Sequence, residues 1–177
     1  ASLNIQTVQI AGYFVFDEPH TAKSRDYFME GLHDAAKFAA QAEIMLGLEN
    51  MDGEDVVSLE TAVDIVTTIN NPWLKLYPDV GNLVANQLDV CQQLQLATNQ
   101  LVGLHLKDAT AGVYRRVPFG EGVVPFKAVA STLSEIGYQG PVTLEMWNDD
   151  AADSVEKVKE SLAWIQAQFS GHKEEDR

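Results

Sequence analysis

Cysteine is nearly absent from this chain. Its 177 residues include one, Cys91, so no intrachain disulfide can form, which fits a reducing cytoplasm. Basic residues are scarce: 12 Lys and Arg stand against 26 Asp and Glu, for a net charge of −14. Phosphate backbones are held by clustered cations, so this balance argues against a nucleic-acid partner. It argues equally against an anionic membrane surface. A small anionic substrate stays open, because a few bases gathered locally suffice. No run of about 18 apolar residues occurs, so no membrane-spanning helix is expected. The opening "ASLNIQTVQI" carries no basic leader and does not read as a signal peptide.

What is present is alternation. "IQTVQIAGYFVF" (5–16) is β-rich. "TAKSRDYFMEGLHDAAKFAAQA" (21–42) has helical spacing, with Tyr27, Phe28, Leu32, Ala35, Ala36 and Ala39 on one stripe and Thr21 as its N-cap. "EIMLGLEN" is a strand. "SLETAVDIVTTIN" is a helix, capped by Ser58 and stopped by Asn70 and Asn71 before Pro72. "WLKLYPDVGN" reads as strand then loop, "QLDVCQQLQLAT" as helix, "LVGLHLKD" as strand. "VPFKAVASTLSEIGYQG" is a helix closed at Gly137, "VTLEMW" a strand. "DSVEKVKESLAWIQAQF" is an amphipathic helix with Val155, Val158, Leu162, Ile165 and Phe169 inward. Five strand–helix units in succession imply a parallel sheet with helices outside it, an α/β fold. An open doubly wound sheet and part of a (β/α)8 barrel both fit. A whole barrel needs roughly 250 residues, about three units more than this chain has.

The strands end in chemistry. "MLGLEN" carries Glu49, "LKLYPD" Asp79, "VGLHLKD" His105 and "VTLEMW" Glu145. A lone strand histidine is usually a satisfied core residue, and a lone Asp before "VGN" usually shapes a turn. Four such residues on four consecutive parallel strands gather on one face. Two Glu, one Asp and one His would hold a divalent cation and leave positions open for substrate. Without a cation, three carboxylates so close would not all stay ionised. Carboxylate-rich ligands suit Mn, Mg or Co, and one His leaves Zn open. Lys107 and Arg115 are among the few bases near this site and are candidates for balancing a substrate phosphate. Asp108 reads either as a group supporting the metal ligands from behind or as a loop cap. Gly120 and Gly122 would let the backbone approach a ligand closely. Trp73, Trp147 and Trp164 read as packing, with Trp147 placed to floor a sugar site.

"LGLENMD", "LYPDVGN", "GLHLKD", "VPFGEG" and "LEMW" resemble the motifs of the L-ribulose-5-phosphate 3-epimerases, also called L-xylulose-5-phosphate 3-epimerases. That family lies within the xylose-isomerase-like barrel superfamily. "QIAGY" resembles its fourth barrel strand, and the similarity runs from about Ile5 to Phe169. The resemblance implies the C-terminal five βα units of a (β/α)8 TIM barrel with the first three absent. Residues 1–169 would form this partial barrel, and 170–177 a charged, disordered tail. It further implies that Glu49, Asp79, His105 and Glu145 bind the metal, with Glu49 and Glu145 as the acid/base pair. Arg115 aligns with an arginine that contacts substrate oxygens. Asn82 stands where epimerases without a phosphate requirement often carry histidine; its amide could bond a sugar hydroxyl or cap the next helix.

The implied activity interconverts L-ribulose 5-phosphate and L-xylulose 5-phosphate at C3, in pentose or L-ascorbate breakdown, in the cytoplasm. Its partner would be a small phosphorylated sugar. Five strands leave two unpaired edges, so a homo-oligomer is expected. Two alternatives remain: a hexulose-phosphate aldose–ketose isomerase using the same metal, and a truncated, non-catalytic metal-binding half-barrel. Endonuclease action on abasic DNA calls for more histidines than the four present and a basic surface.

Overall fold

Alternate leucines lay down the sheet. In a computed structural model of the chain, which describes residues 4–147 and 151–170, they recur on three strands. Strand β1 spans Thr7–Ala11, β2 Met45–Glu49, β3 Leu74–Leu76 and β4 Leu104–Leu106. Leu46, Leu48, Leu74, Leu76, Leu104 and Leu106 are all buried. Side chains two apart share a face, so these leucines form one apolar layer. The residues between them, Gly47, Lys75 and His105, occupy the opposite face.

Helix α1 spans Ser24–Ala42, α2 Leu59–Ile69, α3 Val80–Ala85 and α4 Val90–Leu96. Beyond β4 lie β5 (Asp108–Thr110), β6 (Val113–Val117), α5 (Phe126–Glu135), β7 (Val142–Leu144) and α6 (Ser154–Ser170). Strands β1, β2 and β3 are parallel neighbours, and β4 pairs in parallel with β7. Parallel bridges Leu76–Leu101 and Asp79–His105 join the two groups. Five parallel strands therefore run side by side in chain order, each followed by helix, as the sequence predicts.

Several local signals act as expected. Ser58 accepts a hydrogen bond from the Thr61 N–H, and Asn70 ends α2 in the left-handed conformation at φ 51°. Others differ. Thr21 does not cap α1; the helix opens at Ser24, and Thr21 Oγ1 instead accepts from the Lys23 N–H in the turn before it. The expected loop after β3 folds as α3, because Asp79 Oδ1 accepts from the Asn82 N–H at 2.9 Å and caps it. The segment after β4 contains an antiparallel hairpin, β5–β6. Residues 171–177, expected as a tail, lie outside the described residues; Ser170 belongs to α6.

Two inward stripes need correction. Leu32, Ala36 and Ala39 are buried under α1, but Tyr27 is 62% exposed. On α6 Ile165 is buried, whereas Val155, Val158 and Leu162 are exposed. Helix α1 packs on β2 and α2. Helix α6 packs on α5 through Trp164, which stacks against Phe119 and Phe126, and its other flank faces outward.

Candidate active site

Parallel strands bring their C-terminal ends to one side, and the register decides which side chains meet there. Glu49 is the last residue of β2. Asp79 lies opposite His105 across the bridge between the β3 and β4 segments. The Pro78 carbonyl accepts from the His105 N–H at 2.8 Å, and the Leu106 carbonyl accepts from the Glu145 N–H at 2.8 Å. These backbone bonds bring the Asp79, His105 and Glu145 segments side by side. Glu49, Asp79, His105 and Glu145 thus offer one ligand atom each, all within 4.8 Å of one another. His105 Nδ1 sits 2.8 Å from Glu49 Oε1 and 3.4 Å from Glu145 Oε2. The two glutamates face a single imidazole from different strands.

Lys107 enters the same cluster. Its Nζ lies 2.8 Å from Asp79 Oδ2 and 3.5 Å from Glu145 Oε2, and the side chain is only 6% exposed. Asp79 Oδ2 is buried, and despite this ion pair it has no partner in hydrogen-bond geometry. Burial pushes the Asp79 carboxyl up to about 8, with Glu145 adding to the rise and Lys107 opposing it. Burial would also raise Glu145, but Asp79, Lys107 and His105 outweigh it and hold that carboxyl below its ordinary value. For His105 burial opposes protonation; Glu49, Glu145 and Asp79 outweigh it and hold the imidazole above its ordinary range. Neighbouring acids so coupled are pushed apart, one up and one down. The donor set, three carboxylates and one imidazole with an unbonded buried oxygen at its centre, fits a divalent cation.

Positioning residues that sequence reasoning missed surround the four. Asn50 is fully buried; its Oδ1 accepts from the Asp79 N–H at 2.9 Å and its Nδ2 donates to the Asp79 carbonyl at 3.1 Å. Gln9, from β1, donates to Glu49 Oε2. The Tyr77 ring meets His105 edge-on at 4.8 Å, and its hydroxyl lies 3.1 Å from Thr143 Oγ1. The available signal was a polar residue inside or just after an apolar strand, as in "TVQIA" and "LGLEN".

Arg115 lies on β6 and reaches across to Asp52 Oδ2 at 2.9 Å, and Tyr13 donates to the same Asp52. Its guanidinium also stands 5.7 Å from the Trp147 ring, and Lys107 Nζ lies 5.1 Å from the same ring centroid. Trp147, itself exposed, thus meets two cations. Asn82 is 3% exposed, and its Nδ2 donates to the Asn50 carbonyl at 2.9 Å, so its amide ties the two loops that carry Glu49 and Asp79. A cavity of about 510 Å³ opens beside the cluster, bounded by Lys107, Glu145, Trp147, Phe119 and Trp164.

Asp108 is a loop cap. Its buried carboxylate accepts from the backbone N–H groups of Ala109, Gly120, Gly122 and Val124 at 2.8–3.3 Å. The close approach expected of Gly122 toward a ligand is an approach to Asp108, since a Cβ there would lie 2.1 Å from Asp108 Oδ1.

Comparison with known proteins identifies the family. Residues 1–168 match the family described as Xylose isomerase-like TIM barrel. Over 168 residues the chain is 38% identical to L-ribulose-5-phosphate 3-epimerase UlaE of Shigella boydii serotype 18 and to that of Escherichia coli K12. The match covers 95% of this chain and 59% of each relative, so the chain spans well under two thirds of their length. Among solved structures, a D-psicose 3-epimerase from Clostridium cellulolyticum H10 superposes with a TM-score of 0.78 at 17% identity, over 94% of this chain and 65% of that one. The zinc-bound IOLI protein gives 0.76 at 18% identity, over 95% and 65%. These two likenesses speak to the fold. The strand–helix order, the site on the strands' C-terminal ends and the match over nearly all its length agree: the chain belongs to the xylose isomerase-like TIM barrel family.

Proposed function

We propose that this chain carries the acid–base site of a metal-dependent ketose-phosphate 3-epimerase, interconverting L-ribulose 5-phosphate and L-xylulose 5-phosphate. The observation that carries this reading is the placement of Glu49 and Glu145, on separate strands, against one imidazole at 2.8 and 3.4 Å. Epimerisation at C3 of a 2-ketose removes the proton beside the carbonyl and returns one to the opposite face. It needs one carboxylate on each side of the carbon. One glutamate takes the proton, the other supplies its replacement, and the direction of reaction sets which does which. Glu49, Asp79, His105 and Glu145 would hold the metal. A divalent cation there would polarise the ketone and offset the charge of the enediolate.

The surroundings support a small charged sugar. The cavity beside Glu145 has the size of a small-molecule site. Lys107 and Arg115 border Trp147 and supply positive charge for a phosphate. Asn82 contributes through the loop that presents Asp79. No helix among the described residues is long and apolar enough to cross a membrane. A phosphorylated sugar does not cross membranes unaided, which supports a cytoplasmic setting in pentose or L-ascorbate breakdown. We also assign residues 1–169 to one domain, whose outermost strands, β1 and β7, favour self-association.

The test is solvent-deuterium exchange on L-ribulose 5-phosphate with saturating Mn2+. Glu49→Gln and Glu145→Gln are each expected to abolish epimerisation, and the one that removes the proton-abstracting glutamate to abolish incorporation at C3, while circular dichroism stays unchanged. Exchange retained in both variants would remove the acid–base assignment. Deuterium at C1 instead of C3 would identify an aldose–ketose isomerase. Metal binding without exchange at either carbon would leave a metal-binding half-barrel.

A further inference from the structure

Lys107 is the one lysine whose ammonium lies inside the carboxylate cluster among the described residues. We infer that Lys107 is a resident counter-cation, which holds the cluster together without metal and is displaced when a divalent ion binds. The inference rests on the metal reading above and adds a competitor to it.

Geometry carries the argument. Nζ stands 2.8 Å from Asp79 Oδ2, the buried oxygen that has no hydrogen bond, and 3.5 Å from Glu145 Oε2. Both oxygens belong to the proposed ligand set. A divalent ion bonds carboxylate oxygen at about 2.0–2.2 Å. An ion on Asp79 Oδ2 would therefore lie within about 5 Å of Nζ, in a site screened from water. Two cations at that spacing repel strongly, and the shared oxygens cannot fully satisfy both. The lysine has somewhere to go. Its Nζ already lies 5.1 Å from the Trp147 ring centroid, and the side chain lines the cavity of about 510 Å³ beside Glu145. A four-carbon stem lets the ammonium swing from the carboxylates to the ring face and the cavity mouth. Metal binding would then deliver a cation to the place where the substrate's anionic group enters. Gly81 permits the starting position: a Cβ there would meet Lys107 Cγ at 2.9 Å and its carbonyl at 2.7 Å.

The experiment compares the full chain with its Lys107→Met variant, which keeps the stem and removes the charge. Mn2+ is titrated by calorimetry, and melting is followed with EDTA or with saturating Mn2+. Lys107→Met is expected to melt lower than the wild type in EDTA. It should bind Mn2+ roughly tenfold tighter or more and gain more melting temperature from it. Equal or weaker Mn2+ binding by the variant would overturn the inference while leaving the metal site intact. Absence of binding in both proteins would overturn the metal reading and this inference with it. Should Lys107→Met fail to fold, wild-type protein with 13C-labelled lysine decides the matter by NMR. The Lys107 ε-methylene signal is expected to shift on saturation with diamagnetic Zn2+, and a signal unmoved by bound Zn2+ would refute displacement.

Discussion

Asn50 clamps the backbone of Asp79 with both ends of its amide: Oδ1 accepts from the Asp79 N–H at 2.9 Å, and Nδ2 donates to the Asp79 carbonyl at 3.1 Å. One side chain thereby satisfies both main-chain groups of a proposed ligand. Asn50 follows Glu49 directly, so the same short segment supplies one ligand and orients another.

Replacing Asn50 by alanine leaves the Asp79 N–H buried and unpaired, and leaves its carbonyl only the Leu83 N–H at 3.3 Å. The cost is expected to be about 1–3 kcal/mol, from the one buried group that loses its sole partner. Mn2+ affinity should fall about 10–100-fold, the usual effect of losing a ligand's support. Urea unfolding and calorimetry measure the two effects separately. A variant with unchanged Mn2+ affinity would show that Asp79 keeps its position without the clamp.

Tyr77 occupies space that two glycines vacate. A Cβ on Gly103 would lie 1.9 Å from the Tyr77 ring, and one on Gly47 would lie 2.8 Å from Tyr77 Cβ. Gly103→Ala must push the ring, and with it the edge contact to His105. Overpacking of this kind costs about 1–3 kcal/mol. The penalty is expected to shrink in a Tyr77→Ala background, which a double-mutant cycle in urea detects as coupling between the two sites.

Asp108 organises the loop that precedes α5. Asp108→Asn keeps the shape but loses the charge and turns an N–H2 group toward backbone donors. Hydrogen bonds to a charged acceptor contribute about 1.5–3 kcal/mol each, so destabilisation of at least about 2 kcal/mol is expected. Limited proteolysis should reveal earlier cleavage within 118–124. Gly122→Ala should give the same cleavage pattern, because its added Cβ would collide with the Asp108 carboxylate.

Much of this was legible in the sequence, for identifiable reasons. The strand–helix order was readable because Leu46, Leu48, Leu74, Leu76, Leu104 and Leu106 alternate so regularly that period two dominates. The four ligand candidates were readable because each interrupts an apolar run at a strand end. Helix α3 was missed because Asp79 was read as a ligand and a turn residue, while its other oxygen caps a helix. The hairpin β5–β6 was missed because "VYRRV" has exposed, charged positions and no apolar face. Val155, Val158 and Leu162 have helical spacing, but periodicity shows that a face is apolar, not that a neighbour covers it. The ion pair of Lys107 with Asp79 was beyond sequence reading because a flexible lysine stem reaches several places.

The pH response of the metal-free chain follows from the cluster. Burial pushes Asp79 up to about 8 against the pull of Lys107, so the folded chain binds a proton there more readily than the unfolded chain does. A raised value stabilises fully below the unfolded value, and that contribution is lost as pH rises through the folded one. His105, held above its ordinary value against burial by Glu49, Glu145 and Asp79, acts in the same direction through neutral pH. Glu145 is held low; its contribution is present above the unfolded value and is lost only as pH falls through the lowered one. Across the interval between, the native state binds more protons than the unfolded state, so stability falls as pH rises. The melting temperature in EDTA is expected to drop from about pH 5 to about pH 8, and Asp79→Asn should flatten that slope. With Mn2+ the dependence reverses, because the ligands must lose their protons to bind, and apparent affinity rises over the same interval. A melting temperature in EDTA that climbed between these pH values would contradict an Asp79 carboxyl raised by burial.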